Sequence, residues 1–117
     1  MADDGAGAPA VVPLPAEIDI TNYTAAAAIL LSAVDNGSGL LIADMTGTTF
    51  CDSSGMRMLL AANDRATASG STLRVVIRPG SAVSRGLAIL GIDRVLNLYT
   101  SVAEALAGHP AAQLPMT

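Results

Sequence analysis

A chain of 117 residues has room for one hydrophobic core and is too short for two. Its net charge of −4 and its three aromatic residues argue against nucleic-acid binding, which favours basic clusters with stacking aromatics. The single cysteine excludes an intramolecular disulfide and a two-cysteine metal site, and no apolar run has the length of a membrane span. With no signal-peptide pattern at the start, we expect a cytoplasmic protein with no membrane, metal or cofactor partner.

The predicted elements alternate between strands and helices. Short runs of Val, Ile and Leu predict buried strands, and apolar residues at spacings of three and four predict amphipathic helices. A glycine follows each helical segment and a Ser, Thr or Asn precedes it, as expected for helix caps. The chain order is strand 11–12, helix 22–35, strand 40–43, helix 53–69, strand 73–77, helix 82–90, strand 95–98 and helix 101–107.

This alternation indicates one α/β domain at residues 10–108, with largely parallel strands joined by right-handed crossovers. The flanking residues, 1–9 and 109–117, lack a periodic pattern, and we expect both to be disordered tails. The first strand, Val11-Val12, is weak and should form a poorly covered edge. Because an uncovered edge can pair with another chain, the sequence leaves two oligomeric states open, a monomer and a weak dimer.

The segment richest in chemistry is Asp52-Ser53-Ser54-Gly55, at the start of the second helix. Functional loops of parallel sheets follow the carboxyl ends of strands, and this segment ends such a loop. The first turn of a helix has free N–H groups and a positive dipole end, so a hydroxyl there can cap the helix or carry a phosphate. Capping needs only one of these residues, and both Asp52 and Ser53 are candidates for it.

Three segments resemble the STAS domains of bacterial anti-sigma factor antagonists. The turn that precedes the first helix of those domains is similar to Ala16-Glu17-Ile18-Asp19, although glycine is usual where Ala16 stands. Their signature strand, loop and helix start resemble residues 41–55, and their closing half resembles residues 78–95. The resemblance extends over about residues 14–106, nearly the whole predicted domain.

The resemblance implies a single STAS domain, with a small mixed, mostly parallel β-sheet and about four helices packed mainly on one face. It also implies an anti-sigma factor antagonist, which binds an anti-sigma factor serine kinase and releases a sigma factor in a stress response. Phosphorylation would switch this antagonist off, and a PP2C-type phosphatase would restore it. The phosphoacceptor implied by the family is Ser53, with the neighbouring Ser54 as the alternative.

The resemblance also implies a partner-binding surface at the start of the second helix. By position, Asp19 is expected near Ser53 at the same rim of the domain. Arg57 has three interpretations: contact with the partner, contact with a phosphate, or simple solvation. The expected partner-binding residues are Asp19, Asp52, Ser53, Ser54, Gly55, Met56 and Arg57.

Two other functions were weighed against this one. A STAS module that is never phosphorylated would act as a scaffold or as a lipid or nucleotide sensor, and this alternative stays open. An enzyme with Ser53 as nucleophile needs a nearby base, but the only histidine, His109, lies in the predicted tail. Cys51 also replaces the first glycine of a Gly-x-Ser-x-Gly elbow. We therefore predict no enzymatic activity, and we expect Cys51 to be a small core residue.

Overall fold

The computed structural model describes residues 8–108 and has the predicted α/β architecture. The strands are β1 (Ala10–Pro13), β2 (Glu17–Ile18), β3 (Leu40–Asp44), β4 (Phe50–Cys51), β5 (Thr72–Val76) and β6 (Asn97–Tyr99). The helices are α1 (Tyr23–Asp35), α2 (Ser53–Ala68), α3 (Ala82–Ile89) and α4 (Val102–Ala107), and a short 3-10 helix spans Ile92–Arg94. Among the helices of this range, none has the length and apolarity needed to cross a bilayer.

The predicted tails at 1–9 and 109–117 lie almost entirely outside the described residues, so their disorder stays a prediction. His109 also lies outside the described residues.

Four strands form the main sheet in the order β1-β3-β5-β6, and each neighbouring pair is parallel. This arrangement confirms the predicted, mostly parallel sheet. Within the described residues, β1 pairs only with β3 and therefore forms the expected edge. A second, two-stranded parallel sheet joins β2 to β4. It is missing from the sequence prediction because each strand is two residues long, too short to show an alternating pattern.

The helices cover the two faces of the sheet unequally. Helices α1, α2 and α3 pack with one set of strand residues, including Leu41, Leu73 and Val75, to form the main core. Because successive strand residues point to opposite faces, Ile42 and Val76 face the other way and pack against α4. Three helices on one face and one on the other confirm the prediction that the helices pack mainly on one face.

Helices α1 and α2 are neighbours in the main layer. Near their C-terminal ends, the guanidinium of Arg65 forms an exposed ion pair with the carboxylate of Asp35 at 3.2 Å. Their opposite ends lie beside the small β2–β4 sheet, because β2 leads toward α1 and β4 leads into α2. The start of α2 is therefore held between the loop after β2 and the main sheet.

Candidate functional site

The N-cap of α2 is Asp52. One carboxylate oxygen of this residue, Oδ1, accepts hydrogen bonds from the backbone N–H groups of Ser54 at 2.9 Å and Gly55 at 3.2 Å. The backbone of Asp52 is extended, as the N-cap position requires, and Ser53 is the first helical residue. Of the two candidates left open by the sequence, Asp52 is therefore the cap.

Asp52 also ties the start of α2 to the loop between β2 and α1. Its second carboxylate oxygen, Oδ2, accepts a hydrogen bond from the backbone N–H of Ile20 at 3.2 Å. Its own backbone N–H donates to the carbonyl oxygen of Ile18 at 3.0 Å. Asp19 lies between these two residues in the chain, so the structure brings the Asp19 loop to the start of α2, where it was expected.

The side chain of Asp19 is held as a carboxylate at this rim. It accepts hydrogen bonds from the hydroxyl and the backbone N–H of Thr21. These bonds stabilise the charged form and lower the pKa of Asp19 below its ordinary value. The rim therefore has two acidic residues, Asp19 and Asp52, on the side of α2 that faces the β2–α1 loop.

Ser53 is exposed on the outer surface of the helix start. Its hydroxyl has no hydrogen-bond partner among residues 8–108, and the capping role belongs to Asp52. Ser54, the alternative phosphoacceptor, is only half-exposed and contributes to a groove between α1 and α2. Of the two serines, Ser53 is therefore the more exposed residue.

Two of the residues predicted to contact a partner are buried. A Cβ added at Gly55 would lie 2.6 Å from Sγ of Cys51 and 2.7 Å from Cγ2 of Ile18, so this glycine allows α2 to approach the small sheet. Met56 is 4% exposed, and its terminal methyl group lies against Gly86 of α3. The prediction that Gly55 and Met56 form part of a contact surface is wrong for this conformation, because both belong to the core.

The surface around Ser53 contains two exposed apolar residues that the sequence analysis missed. Ile20, in the loop held by Asp52, is 67% exposed, and Phe50, in β4, is 50% exposed. Arg57 is also exposed, one helical turn after Ser53. Next to these residues is a groove of about 380 Å³, lined by Ile20, Tyr23, Ser54, Arg57, Met58 and Ala61. The sequence does contain a signal for Ile20, because a large apolar side chain directly after Asp19 stands in a loop rather than in a predicted strand or helix.

The comparison with protein families decides the identity of this fold. The family model of the STAS domain matches residues 3–105. The chain belongs to the STAS domain family. The resemblance drawn from residues 16–19, 41–55 and 78–95 is thereby confirmed.

Known proteins similar to this chain include anti-sigma factor antagonists. RsfB of Mycobacterium tuberculosis, an anti-sigma-F factor antagonist, is 25% identical over 100 residues, which cover 85% of this chain and 80% of RsfB. The crystal structure of an anti-sigma factor antagonist from Mycobacterium paratuberculosis superposes with a TM-score of 0.77 at 24% identity, covering 92% of this chain and 88% of the other. A proposed anti-sigma factor antagonist from Thermotoga maritima gives a TM-score of 0.73 at 20% identity, covering 84% and 86%. These structural likenesses establish a shared fold.

The lone cysteine of this STAS domain lies directly before the cap. Cys51 is buried, and burial raises the pKa of its thiol from 9.0 to about 11, with a smaller contribution from the negative charge of Asp52. The group is therefore a neutral thiol near pH 7, and thiolate is the reactive form of cysteine. The expectation that Cys51 is a small core residue is confirmed by its place in the main hydrophobic cluster.

Proposed function

We propose that this STAS domain is an anti-sigma factor antagonist that binds an anti-sigma factor kinase and so releases a sigma factor. Phosphorylation of Ser53 by that kinase switches the antagonist off, and a PP2C-type phosphatase restores it. The similarity to RsfB, an anti-sigma-F factor antagonist, supports the antagonist role. The observation that carries the second part is the exposed Ser53 hydroxyl, which has no partner among residues 8–108 at a helix start capped by Asp52.

The chemical step is transfer of the γ-phosphoryl group of ATP. The Ser53 Oγ–P bond forms as the bond to ADP breaks, and the hydroxyl proton passes to a base of the kinase. Because the Ser53 hydroxyl makes no hydrogen bond within residues 8–108, its modification breaks no contact in that range. The positive dipole end of the helix start favours an added anion, and Ser53 is exposed to solvent, so the folded domain tolerates the phosphate in water.

A bound partner does not tolerate the same phosphate. Phosphorylation adds a charge of about −1.5 to −2 at pH 7. Burying an unpaired charge at an interface costs about 2–5 kcal/mol. Since each 1.4 kcal/mol is a factor of ten, the affinity for the partner falls by about one and a half to three and a half orders of magnitude. No change of fold is needed for this switch.

The contact surface that we propose surrounds Ser53 and has a low charge in the unmodified protein. Its apolar part is Ile20 and Phe50, and its polar part is Asp19, Asp52, Ser54 and Arg57. An exposed apolar patch with a polar rim is the usual composition of a protein-binding site. In this role the protein acts in the cytoplasm in a stress response and has no catalytic activity of its own.

The test uses the anti-sigma factor recovered with this protein from its native bacterium. We expect Ser53→Ala to bind that partner as the wild type does but to take up no phosphate from ATP, and Ser53→Glu to bind more weakly. Ser54→Ala is the matched control and should still be phosphorylated, with the site located by mass spectrometry. Phosphate uptake by Ser53→Ala would instead assign the switch to Ser54. Absence of uptake in all variants would favour a STAS scaffold or sensor that is never phosphorylated.

A further inference from the structure

The structure gives Arg57 a place beside the modified serine. We propose that the guanidinium of Arg57 pairs, within the same chain, with the phosphoryl group on Ser53 and holds it over the outer face of α2. This inference rests on the proposed function, because it requires that Ser53 is phosphorylated. It assigns Arg57 the role of a positioning residue for the phosphate.

The spacing of the two residues favours the pair. Ser53 and Arg57 are four residues apart in α2, and both are exposed. Side chains at this spacing lie on the same face of a helix, with Cβ atoms about 5–6 Å apart. An acidic group four residues before a basic one is also the more favourable order for a helical ion pair. A guanidinium can donate two parallel hydrogen bonds to the oxygens of a phosphate.

Arg57 is free to make this contact. Within residues 8–108, its side chain forms no ion pair and no hydrogen bond. The other arginine of α2, Arg65, is paired with Asp35 at 3.2 Å. In the described part of the chain, Arg57 is therefore an exposed side chain without a competing partner, at the edge of the α1–α2 groove that it helps to line.

The charges around Ser53 give the phosphate a preferred direction. Asp52 precedes it, and the same carboxylate holds the loop that carries Asp19. These acidic groups repel a phosphate, whereas the guanidinium of Arg57, one turn along α2, attracts it. The phosphate therefore turns toward Arg57, along the outer face of α2. One modification thus removes both a neutral hydroxyl and a free guanidinium from the proposed contact surface.

The experiment measures the second pKa of phosphoserine at position 53 by phosphorus NMR. Phosphoserine is incorporated during translation into the wild type, Arg57→Gln and the control Arg65→Gln. This pKa is ordinarily about 6. We expect it to be about 0.3 unit higher in Arg57→Gln than in the wild type, as typical helical ion pairs predict, and unchanged in Arg65→Gln. The difference should vanish in 1 M salt, where the screening length is about 3 Å.

Two results would overturn the inference: an unchanged pKa in Arg57→Gln, or an equal rise in Arg65→Gln. Circular dichroism of the three unmodified proteins checks that each is folded. Binding to the anti-sigma factor is measured on the same samples. If phosphorylated wild type still binds, the proposed function fails whatever the pKa shows. If phosphorylated wild type no longer binds the anti-sigma factor but the pKa is the same in Arg57→Gln, only the proposed pairing of Arg57 with the phosphate fails.

Discussion

The carboxylate of Asp52 joins two parts of the chain: one oxygen caps α2, and the other accepts a hydrogen bond from the backbone N–H of Ile20, 3.2 Å away and 32 positions earlier in the chain. The adjacent Ser53 makes no such contact within residues 8–108. Asp52 therefore supports the fold, and the neighbouring Ser53 is the proposed site of phosphorylation. Substitutions at these two positions should consequently have separable effects on stability and on partner binding.

Asp52→Ala should lower the free energy of unfolding by about 1–2 kcal/mol, because the N-cap is lost. Asp52→Asn should cost less, since its amide oxygen can still cap the helix, although its NH₂ group does not accept a bond from Ile20. Urea unfolding followed by circular dichroism measures both. The control is Ser53→Ala, which should stay within about 0.5 kcal/mol of the wild type. A loss in Ser53→Ala as large as that in Asp52→Ala would contradict the assignment of the cap.

Gly55→Ala should destabilise the domain by about 1–3 kcal/mol through overpacking, despite the higher helix propensity of alanine. The added methyl group would meet Cys51 and Ile18 at 2.6 and 2.7 Å, and both side chains are buried. Thermal or urea unfolding checks this expectation. Gly47→Ala is the matched control, because an added Cβ there meets nothing within 4 Å. Equal stabilities for the two variants would show that α2 can move away from the small sheet without cost.

Cys51 should react with thiol reagents about 100-fold more slowly at pH 8 than a cysteine of ordinary pKa, because the thiolate fraction falls tenfold for each unit by which the pKa rises. Its pKa is about 11, two units above the ordinary value of 9.0. Colour development with a disulfide reagent, in native protein and in urea, measures the difference. Rapid labelling of the native protein would instead indicate an accessible, reactive thiolate.

The same thiol should make stability depend on pH in the alkaline range. The folded-state pKa of Cys51 is raised, so the folded protein holds the proton more tightly than the unfolded chain does. The raised pKa therefore adds to the free energy of unfolding, and this contribution is fully present below pH 9.0 and is lost as the pH rises toward 11. The slope is about 1.4 kcal/mol per pH unit. Subtracting the unfolding curve of Cys51→Ala removes the tyrosine contributions, and a flat difference would contradict the raised pKa.

Most of the fold could be predicted from the sequence, because local signals agreed with one another. The bounds of α1 and α2 differ from the prediction by one residue, since caps and apolar spacing mark both helices. The glycines expected to end the helices have positive φ angles, as at Gly37 with 87° and Gly108 with 80°. The last strand was predicted at 95–98 but begins at Asn97, because the 3-10 helix and its cap occupy the preceding residues.

The structure brings the predicted site residues together at the start of α2, but it buries two of them, Gly55 and Met56. A sequence pattern identifies a helix start without showing which of its first residues face a neighbouring element. The burial of Gly55 depends on the small β2–β4 sheet, and that of Met56 depends on how closely α3 approaches. Ile20 was missed because its exposure follows from a tertiary hydrogen bond, from its backbone to Asp52.

The parallel order of the main sheet constrains how the chain can fold during synthesis. Strand β1 pairs only with β3 in the described residues, and Ala10 lies opposite Leu41, about thirty residues later. Among the described residues, the first strand therefore has no partner until α1 and β3 have left the ribosome, and the other edge of β3 is paired only when β5 follows. Long-range pairings of this kind slow folding. Nascent chains of this domain should consequently expose strand β1 to chaperones until β3 has emerged.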